Sequence, residues 1–314
     1  MPTNIAIIDL GSARTKLFVG HLTETGEVTP VIVAKSETNL MHKIQPNGEI
    51  SVEDISIFIG AVRELLESAK AEGVSSVILL ATESLRKTSS QAMIIDRLHD
   101  ELGLETNILS PVLEADILFA GVQATSNRQI VVADIGGGSV QLVWGSGKSI
   151  SMPTGTLTLQ KKFQVPEQLP TAETYTAMRA YLSSELETAL RGRTVTVPSL
   201  TVGSTCMRNF FDSAMRVAGI VTQPKETYSA QDIDRLFELV AGKPYESLGE
   251  YYPADLFFMY GVDKLLLTLQ VLMPKLNSSS ITPTNESIST SLVRLASEEG
   301  DLGRIGIKAS PVSA

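Results

Sequence analysis

A short pattern is written twice in this chain. Near the start, an apolar run leads into Asp9-Leu10-Gly11-Ser12 and resumes at Leu17, Phe18 and Val19. Later, Val131-Val132-Ala133 leads into Asp134-Ile135-Gly136-Gly137-Gly138-Ser139, with Leu142-Val143-Trp144 beyond it. Each copy reads as strand, tight acidic Gly/Ser turn, strand, which is a β-hairpin. The tip of such a hairpin exposes backbone N–H groups, a hydroxyl and one carboxylate. The N–H groups suit an anion, and the carboxylate suits a divalent cation or its water. One copy alone also reads, with less weight, as an ordinary glycine-rich turn. Two matched copies constrain the chain to a pair of related lobes and point to a phosphate ligand.

The remaining bulk properties are compatible with that reading. A chain of 314 residues is long enough for two domains with their own cores. A hydrophobic content of 43% and a charged content of 19% are ordinary for a globular protein. The start, Met1-Pro2-Thr3-Asn4, has no basic stretch followed by a long apolar one, so no signal peptide is expected. The apolar run Leu265–Met273 is interrupted by Thr268 and Gln270 and reads as a buried helix, so no membrane association is expected. Cys206 is the single cysteine, which excludes an internal disulfide or a cysteine-based metal site and fits a reducing cytoplasm. The net charge of −9 argues against non-specific nucleic-acid binding. A phosphate site must then be a confined electropositive patch or be helped by a metal ion.

Hydrophobic periodicity divides the chain into two α/β halves. In the first, strands are expected at Ile5–Ile8, Lys16–Gly20, Val31–Ala34, Val77–Leu80 and Asn107–Leu109. A long helix is expected from Val52 to about Lys70, with Ser51 as N-cap and Gly73 as its stop, followed by helices over about Ser90–Leu102 and Leu113–Val122. The turn-rich stretch Gln123–Arg128 reads as the boundary, which places residues 1–123 in one domain and 124–314 in the other. The second half repeats the plan with strands at Ile130–Ala133, Val140–Trp144 and Ser149–Met152. Further strands follow at Leu200–Val202 and near Ser280–Thr282, with helices near Leu157–Phe163, Ala172–Leu190, Asp232–Val240 and Pro253–Leu272. A meander followed by alternating helices and strands, given twice, implies two packed α/β lobes with a cleft between them.

Other segments add candidate chemistry. Ala81-Thr82-Glu83-Ser84-Leu85-Arg86 leaves a strand and enters a helix, so it lies at the carboxyl edge of a sheet, where ligands bind in open α/β folds. Arg86 can grip phosphate oxygens in a bidentate way, although a solvated helix-start arginine would look the same. Glu114 sits at the start of a mostly apolar helix, where a glutamate is often only a partner of the helix dipole. Val202-Gly203-Ser204-Thr205 is another backbone-rich strand-to-helix turn. His21, His42 and His99 have no ligand spacing, and neither a nucleophile elbow nor a Walker A lysine motif is present.

In this order, these residues resemble the exopolyphosphatase / guanosine pentaphosphate phosphatase (Ppx/GppA) family, part of the actin, sugar-kinase and Hsp70 superfold of paired ribonuclease-H-like domains. The resemblance covers most of the chain. It rests on Asp9-Leu10-Gly11-Ser12, Asn47-Gly48-Glu49-Ile50-Ser51, Ala81-Thr82-x-Ser84-Leu85-Arg86, Glu114-Ala115 through Gly121-Val122, and Asp134-Ile135-Gly136-Gly137-Gly138-Ser139. Met152-Pro153-Thr154-Gly155, Gly203-x-Thr205 and Pro253-Ala254-Asp255 extend it. The resemblance implies Mg²⁺-dependent removal of the terminal phosphate from inorganic polyphosphate or guanosine pentaphosphate. It implies Glu114 as general base and Arg86 as a catalytic phosphate ligand. Gly11, Ser12, Gly136, Gly137, Gly138, Ser139, Gly203 and Thr205 would bind phosphate, and Asp134 and Asp9 would hold the metal. A homodimer is a further expectation from the family, as is the absence here of the C-terminal helical domains of long exopolyphosphatases.

The chain also leaves the family pattern. Where the family has Asn-Ser and later an arginine after the first turn, this chain has Ala13, Arg14 and Lys16. Where it has Thr-Glu after the second serine, this chain has Val140-Gln141; that glutamate is implicated in metal binding and catalysis, and an amide keeps its shape without its charge. A glycine pair before Thr205 becomes Gly203-Ser204, and a Gly-Leu-Arg-Glu-Gly signature becomes Ser287-Ile288-Ser289-Thr290-Ser291. Three readings follow. The first is a phosphohydrolase, and the second a non-catalytic sensor of polyphosphate or guanosine tetra- or pentaphosphate. The third is an ATP-dependent kinase or actin-like ATPase, whose adenine-binding segment Val202–Thr205 supplies poorly.

Overall fold

Both halves of the chain build the same sheet. The computed structural model describes residues 5–22, 28–126, 130–165, 169–299 and 302–312. The first unit contains β1 (Ile5–Leu10), β2 (Thr15–Leu22), β3 (Val28–Ser36), α1 (Leu40–Lys43), α2 (Val52–Ala71), β4 (Ser76–Ala81), α3 (Glu83–Lys87), α4 (Gln91–Leu102) and β5 (Thr106–Ile108). Helix α5 (Pro111–Ala124) crosses into the second unit, which continues with β6 (Val132–Ile135), β7 (Val140–Val143), β8 (Ser149–Met152), α6 (Thr156–Lys162), α7 (Ala172–Leu190) and β9 (Ser199–Gly203). It is completed by α8 (Met207–Val217), β10 (Tyr228–Ser229), α9 (Ala230–Val240), α10 (Val262–Lys275) and β11 (Ser280–Thr284). Helix α11 (Ile288–Glu299) and β12 (Ser310–Pro311) follow. The strand order is β3-β2-β1-β4-β5 in one sheet and β8-β7-β6-β9-β11 in the other, with β12 added to β4 and β10 to β11. In each, the first three strands are antiparallel and the fourth and fifth run parallel to the first.

Strand β1 shows why the first sheet is covered on both faces. Ala6, Ile8 and Leu10 join one buried cluster with Ile55, Phe58, Ile59 and Val62 of α2, whereas Ile7 joins another with Leu292 and Val293 of α11. Alternate residues of a strand point to opposite faces, so an almost continuous apolar run is what a doubly covered strand requires. The same alternation puts Asp9 on the face of Ile7, beneath α11. Helix α2 begins where Ser51 accepts the amide of Asp54 at 3.1 Å and ends before Gly73, whose φ of +70° and bond to Lys70 O close the last turn.

The division between units differs from the expected one. The first unit comprises Met1–Ile117 together with Ile288–Ala314, and the second comprises Leu118–Ser287. The boundary therefore falls inside α5, and residues 288–314 do not belong with the second domain. Two local interactions bring them back. Leu292, Val293 and Ile307 fill the apolar face of the first sheet, and β12 pairs with Ser76 and Val77 of β4. Asn107 fastens the strand by donating to Lys308 O at 2.9 Å and accepting from Lys308 N at 2.8 Å. The expected Pro253–Leu272 helix is also different: 3₁₀ turns span Leu256–Gly261 before α10 starts. Leu256–Lys275 is long and apolar enough to cross a membrane, but most of it is buried within the second unit. Residues 127–129 of the expected linker lie outside the described residues.

Candidate functional site

The duplicated sequence becomes a duplicated hydrogen bond. At the first tip Gly11 N donates to Arg14 O at 3.0 Å, and at the second Gly136 N donates to Ser139 O at 3.0 Å. A Cβ on Gly11 would lie 2.7 Å from Arg14 O, so the close turn requires glycine there. The carbonyls of the second tip are satisfied from below. Thr156 N donates to Gly136 O, Leu157 N and Thr158 N to Gly137 O, and the Thr158 hydroxyl to Gly138 O. Among the described residues no backbone hydrogen bond uses the amides of Gly137 or Gly138. Gly155, from the Met152–Gly155 motif, makes this packing possible: a Cβ there would lie within 2.5 Å of Gly137 and Ser139 backbone atoms. At the first tip, Met41 N and Asn39 N cover the carbonyls of Ser12 and Ala13.

Register places the acidic residues of the two tips in very different rows. In the second sheet Asp134 lies between Gln141 of β7 and Gly203 of β9, with Ser151 and Thr284 continuing the row on either side. Paired residues point to the same face, so Asp134 and Gln141 are cross-strand neighbours. Gln141 is buried and Asp134 half-buried. Gly203 is also tightly packed, since a Cβ would meet Glu286 O at 3.0 Å. Thr205 follows in the turn before α8 and is half-buried. In the first sheet the corresponding row is Leu80, Asp9, Lys16 and Lys35. The Ser289 hydroxyl of α11 donates to Asp9 Oδ2 at 3.2 Å. Burial holds the Asp9 carboxyl above the usual carboxylate range, and Lys16 and Ser289 offset part of that rise.

Arg86 and Glu114 meet within the first unit. Short helix α3 leaves β4 through Thr82 and turns Arg86 toward the start of α5, where Ser110 caps the helix by accepting Leu113 N at 3.2 Å. Proline at the first helical position suits that start, and the helix N-terminus favours an anion in its first turn. Glu114 is only 1% exposed, and Arg86 Nη1 approaches its Oε1 at 2.8 Å while Nη2 approaches Oε2 at 3.4 Å. Nη1 also donates to Leu109 O, and Nη2 to Glu83 Oε2 at 2.8 Å. Burial works to lower the guanidinium pKa, but hydrogen bonds and charge from Glu114 and Glu83 outweigh it and leave the pKa raised.

The donor set decides what kind of cation fits. Among the described residues no three His, Cys, Asp or Glu side chains cluster, so an all-protein metal cage is absent. Asp134 beside the Gln141 amide fits Mg²⁺ in the mode where one carboxylate is joined by substrate phosphates and water. Asp9, aligned with Lys16 and hydrogen-bonded by Ser289, fits it less well. His42 and His99 belong to no ligand group among the described residues, and the side chain of His21 lies outside them.

Three contributors were not singled out from sequence. Glu83 stands one helical turn before Arg86 and could have been found by that spacing. Ser289 reaches Asp9 across 280 residues of chain, and no local pattern announces such a contact. Gly155 was visible only as part of a motif, without the backbone approach that explains it.

The profile of the Ppx/GppA phosphatase family matches residues 21–248, more than half of the chain. An uncharacterised protein of Streptomyces coelicolor is 24% identical over 192 residues, covering 59% of this chain and 57% of that one. A guanosine-5'-triphosphate,3'-diphosphate pyrophosphatase of Aliivibrio fischeri is 28% identical over 150 residues, covering 47% of this chain and 30% of the relative. This chain thus spans less than two thirds of those relatives. Among solved structures, an exopolyphosphatase from Cytophaga hutchinsonii superposes with a TM-score of 0.79 at 19% identity, covering 95% of this chain and 98% of that one. The Aquifex aeolicus Ppx/GppA family member gives 0.73 at 18% identity, covering 95% and 99%. These structures share the two-unit α/β fold described above, and the family match over residues 21–248 establishes that the chain belongs to the Ppx/GppA phosphatase family.

Proposed function

We propose that this chain hydrolyses phosphoanhydrides, releasing the terminal phosphate of inorganic polyphosphate or of guanosine pentaphosphate. The observation that carries the reading is the buried Glu114 carboxylate, held 2.8 Å from Arg86 at the start of α5. A carboxylate fixed by an arginine and a helix terminus can hold a water in a defined direction, which is the main demand on a base in phosphoryl transfer. Glu114 takes a proton from that water. The water oxygen forms the new bond to the terminal phosphorus as the bond from phosphorus to the bridging oxygen breaks. The bridging oxygen keeps the electron pair, and the products are inorganic phosphate and a ligand shorter by one phosphate.

In the first unit, Gly11 and Ser12 at the tip and Arg86 contribute phosphate contacts. Within the second unit, the candidate phosphate contacts are the amides of Gly136–Ser139, the Ser139 hydroxyl and the Gly203–Thr205 turn. Asp134, with Gln141 beside it, would hold Mg²⁺, which when bound supplies charge neutralisation to the phosphate oxygens; Asp9 is the weaker candidate. A cytoplasmic homodimer acting on a soluble phosphate ligand, without nucleic acid or membrane, completes the reading.

A second reading is favoured by Gln141. An uncharged amide next to Asp134 weakens the hold on a hard cation, which suits a protein that binds polyphosphate or guanosine tetra- or pentaphosphate without cutting it. Phosphate release from long-chain polyphosphate and from guanosine pentaphosphate with Mg²⁺, for wild type and Glu114→Gln, separates the two. Release by wild type that falls in the variant supports hydrolysis. Equal background release from both, with binding retained, supports the sensor.

A further inference from the structure

The Arg86 guanidinium already has an anion in its fork. A guanidinium carries five N–H donors, and four of the bonds they can make are taken. Nη1 serves Leu109 O and Glu114 Oε1, and Nη2 serves Glu83 Oε2 at 2.8 Å and Glu114 Oε2 at 3.4 Å. An arginine in that state has no pair of parallel N–H groups left for a phosphate. For Arg86 to hold a phosphate by its fork, one carboxylate must give way.

The surroundings of the two carboxylates decide which one. Glu114 is nearly fully buried on a fourteen-residue helix, and withdrawing the arginine from it would leave a buried charge uncompensated. Glu83 is on the five-residue α3, its side chain is 14% exposed, and Lys87 Nζ stands 3.2 Å from its other oxygen, Oε1. Glu83 can therefore release Arg86 and remain paired with Lys87. Resting on the reading of Arg86 as a phosphate ligand, we propose that Glu83 is a built-in competitor for that arginine: it holds Nη2 of Arg86 in the free protein, a terminal phosphate group displaces it onto Lys87, and this exchange sets how tightly phosphate is held. The competing groups are chemically alike, since a carboxylate and a phosphate present the same pair of oxygens to a guanidinium.

Calorimetric titration of the full chain with inorganic tripolyphosphate tests the exchange. Glu83→Gln removes the competing charge and should tighten binding about fivefold or more, whereas a variant that merely disturbed the fold would weaken it. Lys87→Ala removes the alternative partner, ties Glu83 to Arg86, and should weaken binding by a similar factor. In an Arg86→Gln background the Glu83→Gln gain should vanish, because the competition is for that guanidinium. Unchanged affinity in Lys87→Ala overturns the proposal, as does equal or weaker affinity in a Glu83→Gln variant that melts like wild type. A gain that persists without Arg86 overturns it too, by assigning the effect to overall charge. If Arg86→Gln alone binds as well as wild type, Arg86 is not a phosphate ligand and that part of the functional reading falls with the proposal. If Arg86→Gln loses binding and Glu83→Gln matches wild type, the exchange alone fails.

Discussion

Arg86 Nη1 lies 2.8 Å from Oε1 of Glu114, joining the short helix after β4 to the first turn of α5. The pair is asymmetric because Arg86 serves a second carboxylate, Glu83, and Glu114 is the more deeply buried of the two. Glu114→Gln leaves Arg86 paired with Glu83 and should change folding stability by no more than about 1 kcal/mol. Arg86→Ala strips the guanidinium from two carboxylates at once and should cost about 3 kcal/mol in urea denaturation. If Glu114 is the base, Glu114→Gln should still lower phosphate release by about 10²–10⁴-fold despite its normal stability.

Gln141 and Asp134 face each other across β7 and β6. Gln141→Glu places two carboxylates side by side, where their repulsion is relieved by a divalent cation. The variant should melt below wild type without metal and gain more than wild type from millimolar Mg²⁺. An equal response of both proteins to Mg²⁺ in thermal melts would remove Gln141 from the metal site, whatever the activity.

Two glycines should respond oppositely to alanine. Gly155→Ala forces a Cβ within 2.5 Å of the Gly137 and Ser139 backbone and should destabilise the second unit by about 3 kcal/mol, displacing the tip. Gly60 lies inside α2, and a Cβ there would meet nothing within 4 Å. Gly60→Ala should stabilise by about 0.5–1 kcal/mol through lower unfolded-state entropy. Urea denaturation of the two variants checks both signs.

Ser51 caps α2 and also donates to Asp54 Oδ2 at 2.7 Å. Hydrogen bonds from Lys43 and Ser51 hold the Asp54 carboxyl below its ordinary value. A carboxylate depressed in the folded state contributes stability above its unfolded pKa and loses it as the pH falls through the folded one. Ser51→Ala should therefore cost about 1 kcal/mol at neutral pH, and the difference from wild type should shrink below about pH 4. Denaturation curves collected across that range give the test.

Asn107 holds the returning C-terminal segment through both atoms of its amide and also donates to Leu79 O at 3.1 Å. Asn107→Ala should cost about 2 kcal/mol and release β12 from β4. Faster amide exchange at Lys308 and Val312, with exchange in α7 unchanged, is the expected signature.

Much of the local architecture was readable from residues near one another in the chain. The Ser51 cap, the Gly73 stop and the period of α2 need only a window of twenty residues, and the structure has them where the pattern put them. The hairpin tips were legible for the same reason, since a strand-turn-strand is specified by consecutive residues. The strand-to-helix turn at Val202–Thr205 announces the start of α8, whereas no local pattern marks α11 as an element. The first residues of α11 looked like a lost motif, and its apolar positions acquire meaning only when Leu292 and Val293 meet Ile7 and Phe18. The candidate site was legible to the same degree: Arg86 and Glu114 were visible as types, but their pairing and the occupation of Arg86 by Glu83 were not.

The sequence by itself determined that this chain holds two copies of an acidic glycine turn and belongs with the Ppx/GppA phosphatases, because turn geometry and motif spacing are local properties. Only the tertiary structure decided which neighbours those turns received. Strand register set Gln141 beside Asp134 and Lys16 beside Asp9, and a helix from the far end of the chain brought Ser289 onto Asp9. Those contacts depend on sheet pairing and on the packing of both sheet faces, which residues distant in the chain settle together by burying the same apolar surface.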